Sequence, residues 1–265
     1  MDANDGMRAG ELWVCHLGAI AYRDAILAQE LIRERTEQGE LPDVLLLLEH
    51  PPVYTRGRRS ADGELPFGEE FYRARGIDLE ATDRGGRLTY HGPGQLVGYP
   101  IMRIADVHGY LRTMEEALIA ALAGEGIAAR SRRDEGIDYT GVWVEDRKIA
   151  SIGVHVRRGV TTHGFALNVD LDLRPFSWVV ACGLPEVTMT SVARELSPGA
   201  STAMPCVRRR VAFEFCRVHG RRQRLVAPAR LGIDAPPAPA PALEPAEAID
   251  PTAGSGAPAA QAVPA

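Results

Sequence analysis

Residues 141–171, GVWVEDRKIASIGVHVRRGVTTHGFALNVDL, contain three runs rich in valine, isoleucine and aromatic residues. The runs cover 141–145, 148–156 and 162–171, and the segments between them are short enough for hairpin turns. Strand-like runs joined by such turns predict an antiparallel meander.

Helical and strand-like patterns surround this stretch irregularly. Apolar residues recur with helical spacing over 21–39 and 107–126. Further strand-like runs are ELWVCHL (11–17), DVLLLLEH (43–50), RLTYHG (87–92) and QLVGYPIM (95–102). Strands grouped in this way, with helices interspersed, predict an α+β fold and not a doubly wound parallel sheet.

The composition is that of an ordinary globular protein, with 265 residues, 45% hydrophobic and 25% charged. The N-terminal residues 1–11 are acidic and have no apolar run, so they do not resemble a secretory signal. The apolar run VLLLLEH at 44–50 is far shorter than the roughly 20 residues of a membrane helix. We therefore expect a cytoplasmic protein that does not bind a membrane.

Two segments in the C-terminal part of the chain have a biased composition. Residues 231–265 are rich in proline and alanine and carry four acids and no base, which predicts a disordered tail after a domain at 1–230.

Residues 207–224 hold seven arginines and one acid. A solvated helix face is the favoured interpretation of this arginine-rich segment, and a docking surface for an acidic partner is the alternative. The absence of a recognition motif argues against nucleic acid.

Lys148 is the only lysine in the chain, and the other 29 basic residues are arginines. A guanidinium stays protonated in proteins, whereas an ammonium can lose its proton. Lys148 is therefore either a solvated charge on a turn or a proton-transfer group. Strict alternation along a strand puts one set of residues on the same face as Lys148 and the other set on the opposite face. The first set is Ala150, Ile152, Val154 and Val156, and the second is Ile149, Ser151, Gly153 and His155.

The segment 83–101, DRGGRLTYHGPGQLVGYPI, is unusually rich in glycine. Its spacing matches neither a phosphate-binding loop nor a dinucleotide fingerprint. The glycines at 85–86 and at 92–94 flank a predicted strand. They indicate either ordinary turns or two tight loops that let a substrate approach the backbone.

Four cysteines, Cys15, Cys182, Cys206 and Cys216, form no CxxC pair and no metal-ligand spacing. In a reducing compartment they should be free thiols. Cys182 ends an apolar run and precedes a glycine, whose backbone N–H could bind an oxyanion. It is the best candidate for a nucleophile.

Several long motifs, taken together and in this order, resemble the octanoyltransferases of lipoate biosynthesis, the lipoate-protein ligase B family. They are LLLLEHPPVYTRGRR, RGGRLTYHGPGQLVGYP, GVWVEDRKIASIGVHV, THGFALNVDLDL and ACGL, and the resemblance covers about residues 11–220. It implies a biotin/lipoate protein ligase-like α+β fold, with a mixed, mainly antiparallel sheet and flanking helices in a single domain. It also implies transfer of an octanoyl group, the first step of endogenous protein lipoylation.

The resemblance assigns the acyl-accepting thiol to Cys182 and its general acid and base partner to Lys148. A neighbouring ammonium also lowers the pKa of a thiol. Ala181 departs from the proline common in this family and leaves the loop less restrained. The implied acyl-pocket residues are Arg84, Gly85, Gly86, Arg87, Leu88, Thr89, Tyr90, His91, Ser151, Ile152, Gly153, Gly164, Phe165 and Ala166.

The implied donor is octanoyl-acyl carrier protein. The implied acceptors are lipoyl domains of 2-oxoacid dehydrogenase E2 subunits and the glycine cleavage H protein. Transfer from thioester to thiol is nearly isoenergetic and the step to an amide is downhill, so no cofactor, ATP or metal is expected. Arg56, Arg58 and Arg59, with the arginine-rich segment, could steer acidic partners.

Three alternatives remain. An ATP-dependent lipoate or biotin ligase can share the fold, a cysteine hydrolase could use His163 as its base, and an inactive binder of lipoyl domains would lack one member of the Cys182 and Lys148 pair. We expect His91 and His163 to be pocket walls or satisfied structural donors, and His50 to be a loop residue at a strand end.

Overall fold

The computed structural model describes residues 10–61, 63–180, 187–196 and 203–233 of the chain. The strands are β1 (Glu11–Ala19), β2 (Val44–Glu49), β3 (Val53–Arg56), β4 (Asp78–Ala81), β5 (Thr89–His91), β6 (Gln95–Ile101), β7 (Gly141–Val144), β8 (Arg147–Arg157), β9 (Val160–Asn168), β10 (Thr188–Met189) and β11 (Arg222–Leu225). The helices are α1 (Tyr22–Gln38), α2 (Glu69–Arg73), α3 (Val107–Ala123), α4 (Val192–Glu195) and α5 (Met204–Val218).

The strands form a large sheet and a small one. The large sheet runs in the order β10-β8-β9-β6-β2-β1-β11, and β7 also pairs with β8. Its central pairs β2–β6, β6–β9 and β8–β9 are antiparallel, and β1 is parallel to both of its neighbours. The small sheet has the order β4-β3-β5. The α+β class and the predicted meander β7-β8-β9 are confirmed.

Helices cover both faces of the large sheet, which explains the continuous apolar run of β2. Leu45 and Leu47 pack with α3 and α5, whereas Leu46 and Leu48 pack with α1 on the other face. A strand buried on both faces has no solvent side on which polar residues would be favoured.

The two long predicted helices are confirmed as α1 and α3. Asp106 caps α3, because its carboxylate accepts the backbone N–H groups of His108 and Gly109. Gly39 ends α1 in the left-handed conformation, with a φ of 83°. Among the residues that the structure covers, no helix combines the length and the apolar character needed to span a bilayer.

A β-bulge in β8 corrects the predicted alternation around Lys148. Val142 pairs with Ala150 and Trp143 pairs with Lys148, so Ile149 is an extra residue in β8. Ile149 and Ala150 both pack into the core under α3 and α5. Lys148 is therefore buried as expected, but it does not share a face with Ala150. The bulge gives it a place in the same cavity as Ser151.

The arginine-rich segment is only partly helical, because α5 ends at Val218 and β11 follows it. Strand β11 adds to the large sheet parallel to β1. Five of the seven arginines form ion pairs with acids of the chain itself, and these are Arg210, Arg217, Arg221, Arg222 and Arg224. This segment thus already has partners within the fold.

The described body continues slightly beyond residue 230. Leu231 is fully buried, and Ile233 packs against the same apolar cluster near α1. Residues 234–265, and with them most of the proposed tail, lie outside the described residues.

Candidate active site

A cavity of about 270 Å³ opens beside β8 and β9. Its walls come from residues between 22 and 166, including α1, the glycine-rich segment, β6, α3, the loop before β7, β8 and β9. The lining residues are Tyr22, Arg59, Arg84, Gly85, Gly86, Arg87, Thr89, His91, Tyr99, Val107, His108, Leu111, Ile137, Asp138, Thr140, Lys148, Ser151, Ile152, Gly153, Val154, His163, Gly164, Phe165 and Ala166.

Two of the predicted pocket segments are direct neighbours in the sheet. Ser151 pairs with Ala166, Ile152 with Phe165 and Gly153 with Gly164 in the antiparallel β8–β9 ladder. The third segment lies against them, because the backbone N–H of Gly85 donates to the carbonyl of Val154 at 2.9 Å. Segments far apart in the sequence thus build one wall.

The glycine loops serve different purposes. A Cβ at Gly153 would lie 2.7 Å from the carbonyl oxygen of Gly85, so glycine allows the loop at 84–86 to approach β8. Gly94 packs instead against the backbone of Asp170 and does not line the cavity. The close approach at the second loop is therefore to the chain itself and not to a ligand.

Leu88 and Tyr90 are the two predicted pocket residues that do not line the cavity. Both belong to a separate apolar cluster around the small sheet, together with Tyr54 and Tyr72. They alternate with Arg87, Thr89 and His91, which do line the cavity. Alternation along a strand thus divides the segment between a core and the site.

Lys148 lines the cavity and is only 2% exposed. Its Nζ lies 5.3 Å from the centre of the Trp143 ring, within range of a cation–π contact. A buried amine is costly unless its surroundings stabilise it, so a role as a mere solvated charge is excluded. The position fits a group that acts inside the cavity.

Cys182 lies outside the described residues, as do its neighbours 181–186. The chain is described again from Val187, and β10 runs parallel to β8 with Met189 opposite Lys148. The backbone N–H of Thr190 donates to the carbonyl of Lys148 at 2.9 Å. Residues that closely follow Cys182 in the sequence are therefore fixed beside Lys148.

The other three cysteines are poorly suited to be nucleophiles in this cavity. Burial raises the pKa of both the Cys15 and the Cys216 thiol to about 11, which makes the thiolate scarce near neutral pH. Cys206 is exposed on α5. None of these three lines the cavity.

A hydrogen-bonded network fixes the tautomer of His91. The side-chain amide of Asn168 donates to the carbonyl of Thr190 at 2.9 Å, and the amide of Gln95 donates to the carbonyl of Tyr90 and to Asn168. Gln95 Oε1 is therefore the acceptor 2.7 Å from His91 Nδ1, which must carry the proton. Burial holds the pKa of His91 well below its ordinary value, so the ring is neutral.

Tyr22, His50 and Tyr99 form a second buried cluster next to His91, and Tyr22 and Tyr99 line the cavity. His50 Nδ1 donates to the carbonyl of Ile20 at 2.8 Å, and the Tyr99 hydroxyl donates to His50 Nε2 at 2.7 Å. Burial lowers the pKa of His50 to about 4. The sequence did not predict a role for either tyrosine: Tyr22 comes from α1, Tyr99 lies on β6 within the glycine-rich segment, and the two meet only in the fold.

His163 is held at the edge of the cavity by several contacts. Its Nε2 donates to Asp83 at 2.8 Å, its backbone N–H donates to Gln29, and its φ of 58° is unusual for a residue other than glycine. The bond from His163 and the nearby ring of His155 hold the pKa of Asp83 at about 2. Burial lowers the pKa of His163.

The mouth of the cavity carries charge and exposed apolar surface. Arg59 forms an ion pair with Asp138 at 2.8 Å, and both line the cavity. Ile137 is 66% exposed beside them. In the described part of the chain, no group of three or more His, Cys, Asp or Glu side chains is arranged to hold a metal ion.

Comparison with known proteins gives relatives over most of the chain. The family model "Lipoyl protein ligase A/B catalytic domain" matches residues 21–215. An octanoyltransferase of Rubrobacter xylanophilus is 48% identical over 208 residues, which cover 77% of this chain and 91% of that protein. An octanoyltransferase of Mycobacterium ulcerans is 45% identical over 215 residues, which cover 77% of this chain and 86% of that protein.

Solved structures share the fold at lower identity. A lipoate-protein ligase A bound with ATP aligns with a TM-score of 0.71 at 20% identity, covering 83% of this chain and 89% of that one. A bipartite lipoate protein ligase from Thermoplasma acidophilum aligns with a TM-score of 0.62 at 18% identity, covering 82% and 86%. These likenesses confirm the expected ligase-like fold. From the family model and the curated relatives together, this chain belongs to the lipoyl protein ligase A/B catalytic domain family.

Proposed function

We propose that this protein transfers an octanoyl group from acyl carrier protein to a lysine of a lipoyl domain, through a thioester on Cys182. The observation that carries the proposal is the buried Lys148 inside a cavity built from β8, β9 and the glycine-rich loop. Relatives named octanoyltransferase, at 39–48% identity, support the reaction class.

In the first half of the reaction, the sulfur of Cys182 attacks the carbonyl carbon of the octanoyl thioester. The Lys148 amine accepts the thiol proton as the new carbon–sulfur bond forms. The bond to the carrier's phosphopantetheine sulfur breaks, and Lys148 returns the proton to this leaving thiolate. The products are an octanoyl thioester on Cys182 and a free carrier thiol.

In the second half, the amine of the acceptor lysine attacks the same carbonyl carbon. Lys148 takes a proton from that nitrogen and gives it to the departing Cys182 sulfur. An amide bond forms, the thioester bond breaks, and the enzyme returns to its starting state. Proton transfer by a positioned side chain typically contributes about 10²–10⁴ in rate.

We assign the acyl chain to the apolar part of the cavity. Ile152, Phe165 and Ala166 supply apolar walls, and Gly153 and Gly164 line the cavity between them without a side chain of their own. The volume of about 270 Å³ is suited to a chain of moderate length and not to a large cofactor.

The proposed partners are octanoyl-acyl carrier protein as donor and, as acceptors, lipoyl domains of 2-oxoacid dehydrogenase E2 subunits and the glycine cleavage H protein. Arg58 is exposed next to Arg59 near the cavity mouth, so it is better placed to steer acidic partners than the five internally paired arginines of 207–224. A rate that falls with salt, and less so after Arg58→Ala, would support this role. We propose the cytoplasm as the compartment, because a thiol nucleophile needs reducing conditions.

A cysteine hydrolase with His163 as base is the rival that the cavity could also accommodate. The Nε2 atom of His163 donates to Asp83, which leaves only Nδ1 of that ring to act as a base. An ATP-dependent ligase shares the fold and is the second rival. The hydrolase would release free octanoate, and the ligase would require ATP.

The test is to incubate the protein with octanoyl-acyl carrier protein without ATP and to measure its intact mass. We expect a mass increase of one octanoyl group, which disappears when a lipoyl domain is added and reappears on that domain. Cys182→Ser should abolish the increase, whereas Cys206→Ser, at an exposed thiol, should retain it. An octanoyl group that still accumulates on another residue of the Cys182→Ser protein would refute the assignment.

A further inference from the structure

A buried carboxylate outside the proposed chemistry lies behind the cavity. Glu115, on α3, is only 1% exposed and does not line the cavity. A carboxylate at such a depth is stable only if donors satisfy its oxygens. Glu115 has three donors: the Ser131 hydroxyl at 2.8 Å, the Arg133 guanidinium at 2.6 Å and the backbone N–H of Gly141 at 3.1 Å.

These donors come from the two ends of one loop. Ser131 and Arg133 lie within the connection between α3 and β7, and Gly141 is the first residue of β7, so the donors stand at the two ends of the stretch 131–141. Between these ends, Ile137, Asp138 and Thr140 form a wall of the cavity. A single side chain therefore fastens both ends of a segment that encloses the site.

The Gly141 end also touches Lys148. A Cβ built on Gly141 would lie 2.8 Å from Lys148 Cε and 3.5 Å from Nζ. The backbone of Gly141 thus forms part of the enclosure of the amine, and Glu115 Oε1 holds this same peptide group. A shift of a few tenths of an ångström at Gly141 would change the space in which Nζ sits.

We propose that Glu115 is a positioning residue, which sets the location of the Lys148 amine by holding Gly141 and which fixes the cavity wall by holding Ser131 and Arg133. Its catalytic consequence depends on the proposed function, whereas the positioning itself does not. No reacting atom needs to contact Glu115. Its loss should change turnover more than the affinity for the acyl donor.

Three variants separate the parts of this role. Glu115→Gln retains an acceptor for the Gly141 N–H and can donate to Ser131, but it loses the ion pair with Arg133. Glu115→Asp retains the charge and is too short to reach all three donors at once. Glu115→Ala removes every contact.

Asp43 provides a matched control. It is also buried, and it accepts the backbone N–H of Arg103 and the guanidinium of Arg221, both at 3.0 Å. None of these three residues lines the cavity. Asp43→Ala should therefore cost stability without moving the amine.

The single lysine makes a direct measurement possible. Protein labelled with ¹³C at the lysine Cε carries the label only at Lys148, so NMR should show one ¹³Cε signal. We expect the same position in wild type, Glu115→Gln and Asp43→Ala, and a shifted, broadened or doubled signal in Glu115→Ala and Glu115→Asp. Thermal unfolding identifies any variant that does not fold, and the milder Glu115→Asp remains decisive if the alanine variant fails.

Steady-state kinetics of octanoyl transfer provide the second readout. Glu115→Ala should lower kcat about 10- to 100-fold with a nearly unchanged KM, because small errors in position are costly. An unmoved signal in both Glu115→Ala and Glu115→Asp, or a kcat no lower than in Asp43→Ala, would overturn the proposal. Failure of wild type to form the octanoyl thioester would instead reject the proposed function, while the NMR signal would still decide the positioning.

Discussion

The α-carbon of Gly141 packs directly against the side chain of Lys148, leaving no room for a larger residue. A Cβ there would lie 2.8 Å from Lys148 Cε and would collide with the carbonyl oxygen of Ala150. Its φ of 140° is also a conformation that favours glycine. We predict that Gly141→Ala lowers the melting temperature, because overpacking costs about 1–3 kcal/mol of stability. It should also reduce acyl transfer at least about 10-fold, because the added methyl group displaces the Lys148 side chain.

The control for Gly141→Ala is Gly126→Ala. Gly126 also has a positive φ, of 81°, but a Cβ there would meet nothing within 4 Å. It should therefore report the backbone cost alone, with acyl transfer retained. Equal losses of activity in the two variants would contradict a specific contact with Lys148.

Lys148→Arg should preserve the fold and lose turnover by roughly 10²–10⁴-fold, because a guanidinium keeps the charge but does not give up its proton. Lys148→Met, which removes the charge and retains an unbranched side chain, should be equally inactive. Circular dichroism checks the fold and single-turnover acylation of Cys182 measures the chemistry. Near-normal transfer by Lys148→Arg would show that charge alone is needed.

Ala166→Leu should shorten the acyl chains that the cavity accepts. Ala166 lies on β9 opposite Ser151 and lines the cavity, so a larger side chain there takes space from the ligand. We expect thioester formation from an octanoyl donor to fall by about 10-fold or more, and that from a butanoyl donor to be largely retained. Ala166→Ser is the control of similar size. Equal use of both donors by Ala166→Leu would place the acyl chain elsewhere.

Stability should fall between pH 6.5 and pH 4, partly because of His50. Burial lowers its pKa from 6.5 to about 4 in the folded protein. The unfolded chain therefore binds more protons in this interval, and the contribution of neutral His50 is complete above pH 6.5 and lost as the pH falls. From pH 7 to pH 5 the loss from this residue is about 2 kcal/mol.

Urea unfolding at pH 7 and pH 5 checks this prediction. His50→Gln can keep both hydrogen bonds, to the carbonyl of Ile20 and from the Tyr99 hydroxyl, without titrating. It should show a weaker pH dependence than wild type, whereas His108→Gln, at an exposed position, should match wild type. An unchanged pH dependence in His50→Gln would mean that this histidine is not buried neutral.

The local patterns were sufficient to predict the class of fold. Period-two runs and short turns correctly predicted β7, β8 and β9, and helical spacing correctly predicted α1 and α3. They did not predict the bulge at Ile149, because Ile149 and Ala150 are both apolar and a shift of the alternation between them leaves no mark in the sequence. The patterns did not predict β11 either, because the charged residues of Arg222–Leu225 resemble a solvated helix face.

Site residues that lie in short sequence motifs could be predicted. Residues that reach the site only through the folding of distant segments could not. The sole lysine and the motif segments at 84–91, 151–153 and 164–166 are recognisable in the sequence, and all of their residues except Leu88 and Tyr90 line the cavity. Glu115 carried no signal, since one acid on an amphipathic helix is usually solvated. Tyr99 carried no signal either. Its partner His50 directly follows β2, and the two residues meet only because β2 pairs with β6.

The burial of Lys148 has a consequence for a catalyst that modifies amines. An enzyme loaded with an activated acyl group would readily label lysines on its own surface, especially when no acceptor protein is bound. Here the outer surface carries arginines in their place, and the one lysine is 2% exposed within the fold. Guanidinium groups stay protonated and are poor acyl acceptors. Under the proposed function, a surface that carries arginines in place of lysines leaves few amines for the enzyme to acylate on itself, so the acyl group is kept for the acceptor lysine.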